Sequence, residues 1–435
     1  MENNVFEFFE KYNEEIEDRV ALGIEANRKG FATVTLKDKD GKPVNGEITA
    51  IQKNHEFRFG ANCFMLGQLE TEEKNRLYEE YFADLFNMAT LPFYWDSTEP
   101  ERGHLRYEKE STPLYRRPPI DACMAFCEKH GIEPREHALA YDHFFPQWLW
   151  DAPVEECKRE YERRCREISE RYADKIRTIE VTNETWWWSE RTALFNEPDF
   201  VEYCFRTARK YFPANQLGIN EQSDLWREGH KTNERYFMQI ERELKKGTPI
   251  DAIGMQYHMF FKREDEYART RRHYDPSHIF GVLDLYGTLG KPLQITEVTI
   301  PCYTDEAADE EKQADILRRL YSIWFSHKDM EQIIYWNTVD GYAHAAEPGD
   351  MTAGENYYRG GLIRFDFTKK PAYNMLKKLI HEEWHTETQV HSKNGAAKFK
   401  GFYGDYELTV KTASGEVKKT VHLGKNCKND FEIII

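Results

Sequence analysis

The chain has 435 residues, enough for one large domain and a smaller one, and its hydrophobic fraction of 40% supplies a substantial core. A net charge of −16 argues against nucleic acids and anionic membranes as partners, because both repel an acidic protein. No apolar run reaches the roughly 18 residues that a membrane-spanning helix needs. The aromatic content of 14% fits either a sugar-binding site or the filling of a large core.

The N-terminus and the cysteines predict where the protein works. Residues 1–7 are acidic and lack the basic and apolar regions of a secretory signal. The eight cysteines are dispersed without a CxxC pair, which is typical of reduced residues that serve packing. Both features predict a cytoplasmic protein, and a secreted chain trimmed of its signal would share them.

The two ends of the chain are rich in predicted strands. A helix is predicted over residues 5–28, and alternating apolar residues then predict strands at each terminus. These strands cover residues 31–36, 46–51, 406–410, 417–423 and 431–435. Because neither group is large enough for a stable sheet, we expect residues 1–53 and 384–435 to build one small accessory β-sandwich together.

Between residues 54 and 383, short apolar strands alternate with helical segments. Eight strands are predicted, over residues 57–62, 88–95, 133–141, 178–183, 216–220, 252–257, 293–298 and 333–338. Helices are predicted over residues 118–130, 153–172, 197–211, 232–246 and 309–326. Eight such units predict a (β/α)8 TIM barrel with its active site at the C-terminal strand ends. A doubly wound sheet is the alternative, but no Gly-rich phosphate loop follows the first strand.

Two of the predicted strands carry a glutamate at the end. Asn183 and Glu184 follow the fourth strand, and Glu297 lies near the end of the seventh. Because the strand ends of one barrel meet at one mouth, these carboxylates form a candidate pair for splitting a glycosidic bond. Three tryptophans at residues 186–188 are expected to wall a half-dry cleft that raises the pKa of Glu184 for general acid work.

The pairing predicts a division of labour. With carboxyl groups about 5–5.5 Å apart, Glu297 attacks the anomeric carbon while Glu184 protonates the leaving oxygen and later deprotonates water. His258 is expected to hydrogen-bond Glu297, Asn183 to donate to a sugar 2-hydroxyl, and Trp336 to floor the subsite at the cleaved bond.

Gln256, at the end of the sixth strand, completes the candidate set. Each of these residues also has an ordinary structural interpretation. A strand-end glutamate is usually a surface residue, a lone histidine is usually structural, and consecutive tryptophans can be core. Their coincidence at the same end of successive strands favours a site.

The central segment resembles glycoside hydrolase family 10, the retaining endo-β-1,4-xylanases. Residues 181–185 resemble the acid/base strand W-D-V-V-N-E, and residues 294–300 resemble the nucleophile strand I-T-E-L-D-I. Residues 251–258 match I-D-G-I-G-x-Q-x-H, residues 95–100 match W-D-x-T-E-P, and residues 370–373 match K-P-A-Y. The resemblance covers about residues 55–382 and implies that Glu184 is the acid/base and Glu297 the nucleophile.

The departures from the family fall in its sugar-binding parts. Where the family has the Glu, Asn and Lys of E-N-x-M-K-W, this chain has Thr90, Leu91 and Tyr94. Asp142 stands at the second histidine of G-H-T-L-V-W-H-S-Q, and His143 takes that role after a one-residue slip. These changes remove hydrogen bonds that a linear xylan chain needs. The resemblance therefore implies the mechanism more strongly than the substrate.

The predicted function is a retaining β-glycosidase that acts on oligosaccharides or small glycosides. Xylo-oligosaccharides are the default substrate, and another β-glycoside is the alternative. A second alternative is a non-catalytic carbohydrate-binding protein on the same barrel. No metal or organic cofactor is expected, and the absence of an HxH pair at the strand ends disfavours a metal-assisted hydrolase.

Overall fold

A closed barrel of parallel strands forms the centre of the computed structural model, which describes residues 4–228 and 231–435. The first three residues of the acidic N-terminal segment lie outside this range. The strands are β1 (Lys29–Lys37), β2 (Glu47–His55), β3 (Arg58–Asn62), β4 (Met88–Pro92), β5 (Glu133–His137), β6 (Ala140–Tyr141), β7 (Thr178–Asn183), β8 (Gln216–Glu221), β9 (Ala252–His258), β10 (Leu293–Thr299), β11 (Met330–Tyr335), β12 (Glu387–His391), β13 (Ala396–Phe402), β14 (Gly404–Thr412), β15 (Gly415–Leu423) and β16 (Asp430–Ile434).

Helices follow most barrel strands. They are α1 (Asn13–Asn27), α2 (Glu72–Leu85), α3 (Trp95–Thr98), α4 (Ile120–His130), α5 (Val154–Tyr172), α6 (Phe200–Tyr211), α7 (Leu225–Glu228), α8 (Arg235–Lys245), α9 (Glu266–Thr270), α10 (Pro276–Gly287), α11 (Ala307–Ser326) and α12 (Pro371–Lys378). The five helices predicted between the barrel strands are all present, with ends within three residues of the predicted ones.

The barrel strands run in the order β3, β4, β5, β7, β8, β9, β10 and β11, and β11 pairs with β3 to close the circle. Every pair is parallel. Strands β4, β7 and β10 are buried along their whole length, because side chains fill the barrel interior and helices cover its outside. The (β/α)8 barrel predicted from the sequence is confirmed.

Several predicted elements end elsewhere. The strand predicted over residues 88–95 ends at Pro92, after which Trp95 begins the short α3. The strand predicted over residues 133–141 is interrupted after His137, and β6 resumes it by pairing with β7. The single helix predicted over residues 5–28 is two elements, a 3-10 turn at Val5–Phe8 and α1, separated by the left-handed backbone of Tyr12.

The strands of the two termini form two sheets beside the barrel. Strands β13, β1 and β16 form a three-stranded sheet, and β12, β2, β14 and β15 form a four-stranded antiparallel sheet. Alternate side chains of β1, β2 and β14 are buried and share one apolar core, as in sheets that bury a single face. The accessory strands at both termini are confirmed. The domain limits at residues 53/54 and 383/384 stay a prediction.

Two further observations concern helices and cysteines. In the part of the chain that the structure describes, no helix combines the length and the apolar character needed to cross a bilayer. All eight cysteines carry free thiols, and seven of them are buried. Their burial agrees with the packing role expected from their dispersed positions.

Candidate active site

A cavity of about 450 Å³ opens where the barrel strands reach their C-terminal ends. It is lined by eight of the nine residues singled out in the sequence, namely Tyr94, His143, Asn183, Glu184, Gln256, His258, Glu297 and Trp336. Asp142 is not in its wall. Residues from six different barrel segments, far apart in the chain, therefore meet at one site, as expected for the C-terminal strand ends of a barrel.

Glu184 follows β7 directly and is half-buried. Its Oε2 accepts a hydrogen bond from the Tyr141 hydroxyl at 2.9 Å, and its Oε1 accepts one from the Gln256 amide at 3.0 Å. The backbone of Glu184 is left-handed, with φ of 51°, and its N–H donates to the carbonyl of Asn220 at 3.2 Å. A non-glycine residue in this conformation is strained, and such strain is concentrated at functional sites.

Glu297 lies inside β10 and is only 5% exposed. Its Oε1 accepts from the Asn220 amide at 3.1 Å, and its Oε2 lies 3.0 Å from His258 Nε2. Burial raises the pKa of Glu297 well above its usual range, and the positive charges of His137 and Arg135 oppose that rise. The sequence predicted a half-dry environment for Glu184, which is half-buried, but it did not predict that Glu297 is the more deeply buried of the two.

His258 is placed to donate to Glu297, as predicted. Burial lowers the pKa of His258 to about 4, so its imidazole is neutral at physiological pH and carries one N–H. The Nδ1 atom lies 2.9 Å from the hydroxyl of Thr299. When that hydroxyl donates to Nδ1, the N–H resides on Nε2 and points at Glu297; this tautomer is inferred from the two partners.

Asn183 joins the two halves of the site. Its Oδ1 accepts from the Asn220 amide at 3.0 Å and from the Gln256 amide at 3.3 Å. Those amides also hold Glu297 and Glu184, respectively. One continuous set of hydrogen bonds therefore links both carboxyl groups, which makes their relative position a property of the barrel and not of mobile loops.

Asn220 was not singled out in the sequence, although it is central to this frame. It lies in β8 after the apolar Leu217-Gly218-Ile219 stretch. The signal that could have found it is the one used for Asn183, a polar residue at the C-terminal end of a predicted strand. Being on a neighbouring strand, it reaches sideways across the barrel mouth to Asn183 and Glu297.

A buried ionic cluster lies beneath the two glutamates. Glu180, inside β7, pairs with Arg135 and lies 2.8 Å from His137 Nδ1, and all three are at most 1% exposed. Although burial opposes its ionisation, the charges of His137 and Arg135 hold the pKa of Glu180 below its usual value. The Nε2 atom of His137 lies 2.9 Å from the hydroxyl of Tyr94. This cluster was also absent from the predicted site.

Aromatic rings form part of the cavity wall, but they are not the three consecutive tryptophans. Trp186 is buried against Tyr236, at 6.1 Å between ring centroids, whereas Trp187 and Trp188 are 64% and 77% exposed. None of the three lines the cavity. The prediction that they wall the cleft is wrong, because the loop after Glu184 packs Trp186 against Tyr236 and turns Trp187 and Trp188 toward solvent.

The rings that do line the cavity include Trp336 and Tyr94. Trp336 follows β11 and lies edge-to-face against His258, at 6.0 Å between centroids. The ring of Tyr94 packs against that of Phe144, with 4.1 Å between their centroids. Together these rings give the site large apolar surfaces between its polar groups, the composition expected of a small-ligand site.

Asp142 and His143 separate at the cavity rim. The Oδ1 atom of Asp142 accepts from the hydroxyl of Ser189 at 2.7 Å, away from the cavity. His143 lines the cavity, with its ring 5.9 Å from that of His344. His143, which takes the position of the family's second histidine after a one-residue slip, therefore lies at the site. Asp142 instead holds the loop through its hydrogen bond with Ser189.

The chemistry available is that of two carboxyl groups with fixed donors. Across residues 4–228 and 231–435, no group of three or more His, Cys, Asp or Glu side chains is arranged to hold a metal ion. The arrangement can perform proton transfer and nucleophilic attack.

Comparisons with known proteins agree with this geometry. The model of glycosyl hydrolase family 10 matches residues 51–379. The anti-sigma-I factor RsgI6 of Acetivibrio thermocellus is 23% identical over 92% of this chain and 47% of its own length. Endo-1,4-beta-xylanase 1 of Arabidopsis thaliana is 24% identical over 92% of this chain and 38% of its own length. The chain thus spans less than half the length of these two relatives.

Solved structures share the fold at similar identities. A family 10 protein from Paenibacillus barcinonensis aligns with a TM-score of 0.60 at 20% identity, over 75% of this chain and 95% of that chain. Xylanase 10B from Thermotoga petrophila, solved with xylobiose, aligns with a TM-score of 0.57 at 23% identity, over the same shares of the two chains. At these identities the likeness establishes the barrel fold.

Proposed function

The chain belongs to glycosyl hydrolase family 10, and from this membership we propose that it is a retaining β-glycoside hydrolase acting on oligosaccharides. The observation that carries the proposal is the position of Glu184 and Glu297 in one cavity, each held by two side-chain donors within one hydrogen-bond frame. A double-displacement mechanism requires two carboxyl groups that are held in fixed positions.

In the first step, a carboxylate oxygen of Glu297 attacks the anomeric carbon and the bond to the leaving oxygen breaks. Glu184 gives its proton to that oxygen, which leaves a glycosyl–enzyme ester and an ionised Glu184. In the second step, Glu184 takes a proton from water, the water oxygen attacks the anomeric carbon, and Glu297 is released as a carboxylate. Both glutamates return to their starting states, and configuration is retained.

The surrounding donors have separate tasks. His258 and Asn220 each donate to one oxygen of Glu297, which favours its ionised form against the burial that opposes it. Tyr141 and Gln256 orient Glu184 toward the leaving group. Asn183 and Trp336 contact the sugar at the cleaved bond.

Xylo-oligosaccharides are the first substrates to consider, because one similar structure was solved with xylobiose and one similar relative is a named xylanase. A cavity of about 450 Å³ suits a small ligand. Tyr94 is buried and occupied with His137, where the family usually has a lysine. Another β-glycoside therefore stands as the alternative substrate within the same mechanism.

A non-catalytic carbohydrate-binding protein is the second candidate. The observation that favours it is the similarity to a protein named as an anti-sigma-I factor and not as a hydrolase. The two candidates differ in one outcome. A hydrolase loses product formation when Glu297 is changed, whereas a binding protein forms no product and keeps its sugar affinity when both glutamates become Gln.

The test is hydrolysis of a panel of aryl β-glycosides and xylo-oligosaccharides by the wild type, Glu184→Ala and Glu297→Ala. We expect the first product to keep the β configuration by NMR, and both variants to lose turnover. Added azide should rescue Glu184→Ala with an activated substrate, because azide attacks the glycosyl–enzyme without a general base.

Glu133→Ala is the matched control for this panel. Glu133 begins β5 at the opposite end of the barrel and pairs with Arg58 at 2.9 Å. Its loss should leave turnover unchanged. Unaltered turnover in Glu297→Ala would reject the proposed mechanism, and sugar binding without product in every variant would favour the second candidate.

A further inference from the structure

Two adjacent arginines line the same cavity and have no carboxylate partner. Arg116 is 4% exposed and Arg117 is 8% exposed, and both belong to the loop that leads into α4. Among the described residues, no carboxyl oxygen lies within 4.0 Å of a nitrogen of either guanidinium. Two buried positive charges therefore border the space where the substrate is expected.

Arg117 differs from the other buried arginines of the described chain, which are Arg28, Arg106, Arg116, Arg135 and Arg164. Each of those has an ion pair or at least two hydrogen bonds to protein oxygens. The guanidinium of Arg117 makes one hydrogen bond, from Nη1 to the carbonyl of Arg116 at 2.9 Å. Most of its N–H groups are therefore left for something other than the protein.

Aromatic rings hold the Arg117 guanidinium in place. It lies 4.1 Å from the ring centroid of Tyr94 and 4.9 Å from that of Phe144. Such stacking offsets part of the cost of burying the charge and fixes the plane of the fork. Burial lowers the pKa of Arg117 to about 10, which leaves it cationic at neutral pH. A guanidinium that is fixed, charged and short of hydrogen-bond partners in the protein does little to stabilise the fold. Its free N–H groups can instead bind an anion.

Arg116 supplies a second positive charge at this end of the cavity, His344 adds none at neutral pH, and Asp96 opposes the positive charge from a distance. Arg116 donates to Asn337 Oδ1 at 2.7 Å, and its backbone is left-handed with φ of 60°. Burial and the two arginines together lower the pKa of His344, which lines the same cavity, to about 4. The carboxyl group of Asp96 acts on Arg117 from beyond ion-pair distance, and it is bonded at 2.6 Å to the hydroxyl of Ser97.

This positive end is close to the proposed catalytic pair. The Tyr94 ring under Arg117 lies 6.1 Å from the ring of Tyr141, and the Tyr141 hydroxyl is 2.9 Å from Glu184. Arg117 and Glu184 therefore line the same cavity and are linked through the two neighbouring rings of Tyr94 and Tyr141. The carboxylates Glu184 and Glu297 have their own donors and leave the arginines unpaired.

We propose that Arg117, supported by Arg116, binds the anionic group of the substrate, so that the enzyme selects a glycoside carrying a uronate carboxylate or a sulfate ester. This inference rests on the proposed function and names the substrate class of that site. A guanidinium fork matches both oxyanions through paired N–H···O bonds. A carboxylate or sulfate group supplies the hydrogen-bond acceptors that Arg117 lacks and also a negative charge. A neutral sugar hydroxyl accepts hydrogen bonds as well, but it brings no charge to pair with the guanidinium.

The test is binding of matched short oligosaccharides, measured by calorimetry on Glu297→Ala so that turnover does not interfere. The probes come from a glucuronoxylan and a β-linked glucuronan, each before and after chemical reduction of the carboxyl groups, and from a sulfated β-linked galactan before and after desulfation. We expect one anionic probe to bind about 10-fold or more tightly than its neutral counterpart. A preference for a uronate probe identifies a carboxylate as the bound group, and a preference for the sulfated probe identifies a sulfate ester.

Arg117→Gln in the same background should reduce that preference to below about 3-fold, and Arg117→Lys should keep part of it, because a point charge replaces the fork. Arg76→Gln, at a surface pair with Glu80, is the control and should change nothing. Equal affinity within every probe pair, or a preference that survives Arg117→Gln, overturns the inference. The pair comparison needs no arginine variant, so it decides the matter even when Arg117→Gln does not fold.

The outcome for the anion site can be told apart from the outcome for the proposed hydrolase function. Turnover of neutral and anionic substrates with equal efficiency keeps the hydrolase and rejects the anion site. Anion-selective binding without any product keeps the anion site and rejects the hydrolase.

Discussion

The side-chain nitrogen of Asn220 lies 3.1 Å from Oε1 of Glu297. The same nitrogen lies 3.0 Å from Oδ1 of Asn183 and 3.3 Å from Oε1 of Glu180, while Oδ1 of Asn220 accepts a hydrogen bond from the hydroxyl of Thr296 at 2.7 Å. The Thr296 bond fixes which way the amide points. Asn220, on β8, is therefore a positioning residue that ties the proposed nucleophile on β10 to two residues of β7.

Asn220→Ala should lower kcat by about 100-fold and change KM little, because a small misplacement of the nucleophile is costly to the reaction step. Steady-state kinetics on the best aryl glycoside measures the split. Asn215→Ala is the control, since Asn215 is a buried amide that donates to Ala173 and Ile176 away from the cavity. Both variants should lose about 1–3 kcal/mol of stability, but only Asn220→Ala should lose activity.

The pH profile of kcat/KM should report the environment of Glu297. Attack needs its carboxylate, and burial raises its pKa, so activity should rise with pH through a limb above the ordinary glutamate value of 4.5. His258→Ala removes one donor to the carboxylate, which raises that pKa further and moves the limb to higher pH. A limb at the ordinary value in both proteins contradicts this account.

Glu180→Gln should destabilise the fold by about 3–5 kcal/mol at pH 7, because it leaves the buried charge of Arg135 without its partner. The folded-state pKa of Glu180 is lowered, so its contribution is present above pH 4.5 and is lost as pH falls through the folded value. Urea unfolding at pH 7 and at pH 4 should therefore show a smaller difference between wild type and variant at the lower pH. Glu133→Gln, at a half-exposed pair with Arg58, should cost about 1 kcal/mol or less.

Glu221 should give the opposite dependence on pH. Burial raises its pKa to about 8, although its oxygens accept from the N–H groups of Thr185 and Gln222 at 2.8 and 3.0 Å. Between pH 4.5 and about 8 the folded chain holds a proton that the unfolded chain has lost, so this group makes stability fall as pH rises. Unfolding free energies measured from pH 5 to pH 9 should show a shallower fall for Glu221→Gln than for wild type. Parallel curves would contradict the assignment.

The sequence by itself determined the barrel and most of its mouth. Short apolar strands that end in polar residues mark both the strand order and the side on which side chains meet, because all parallel strands of a barrel point the same way. That rule was enough to bring Glu184 and Glu297 together. It also put His258 beside Glu297, where its Nε2 lies at 3.0 Å.

Only the tertiary structure decided which groups are dry, which are paired and which rings face the cavity. The sequence expected residues 186–188 to wall the cleft, which is wrong, and it did not show that Glu297 is more deeply buried than Glu184. It also missed Asn220 and the unpaired fork of Arg117. Strand ends follow from local pattern, whereas burial and ion pairing depend on loops that pack against segments more than forty residues away, as Tyr94 does against His137. Local patterns do not contain those contacts.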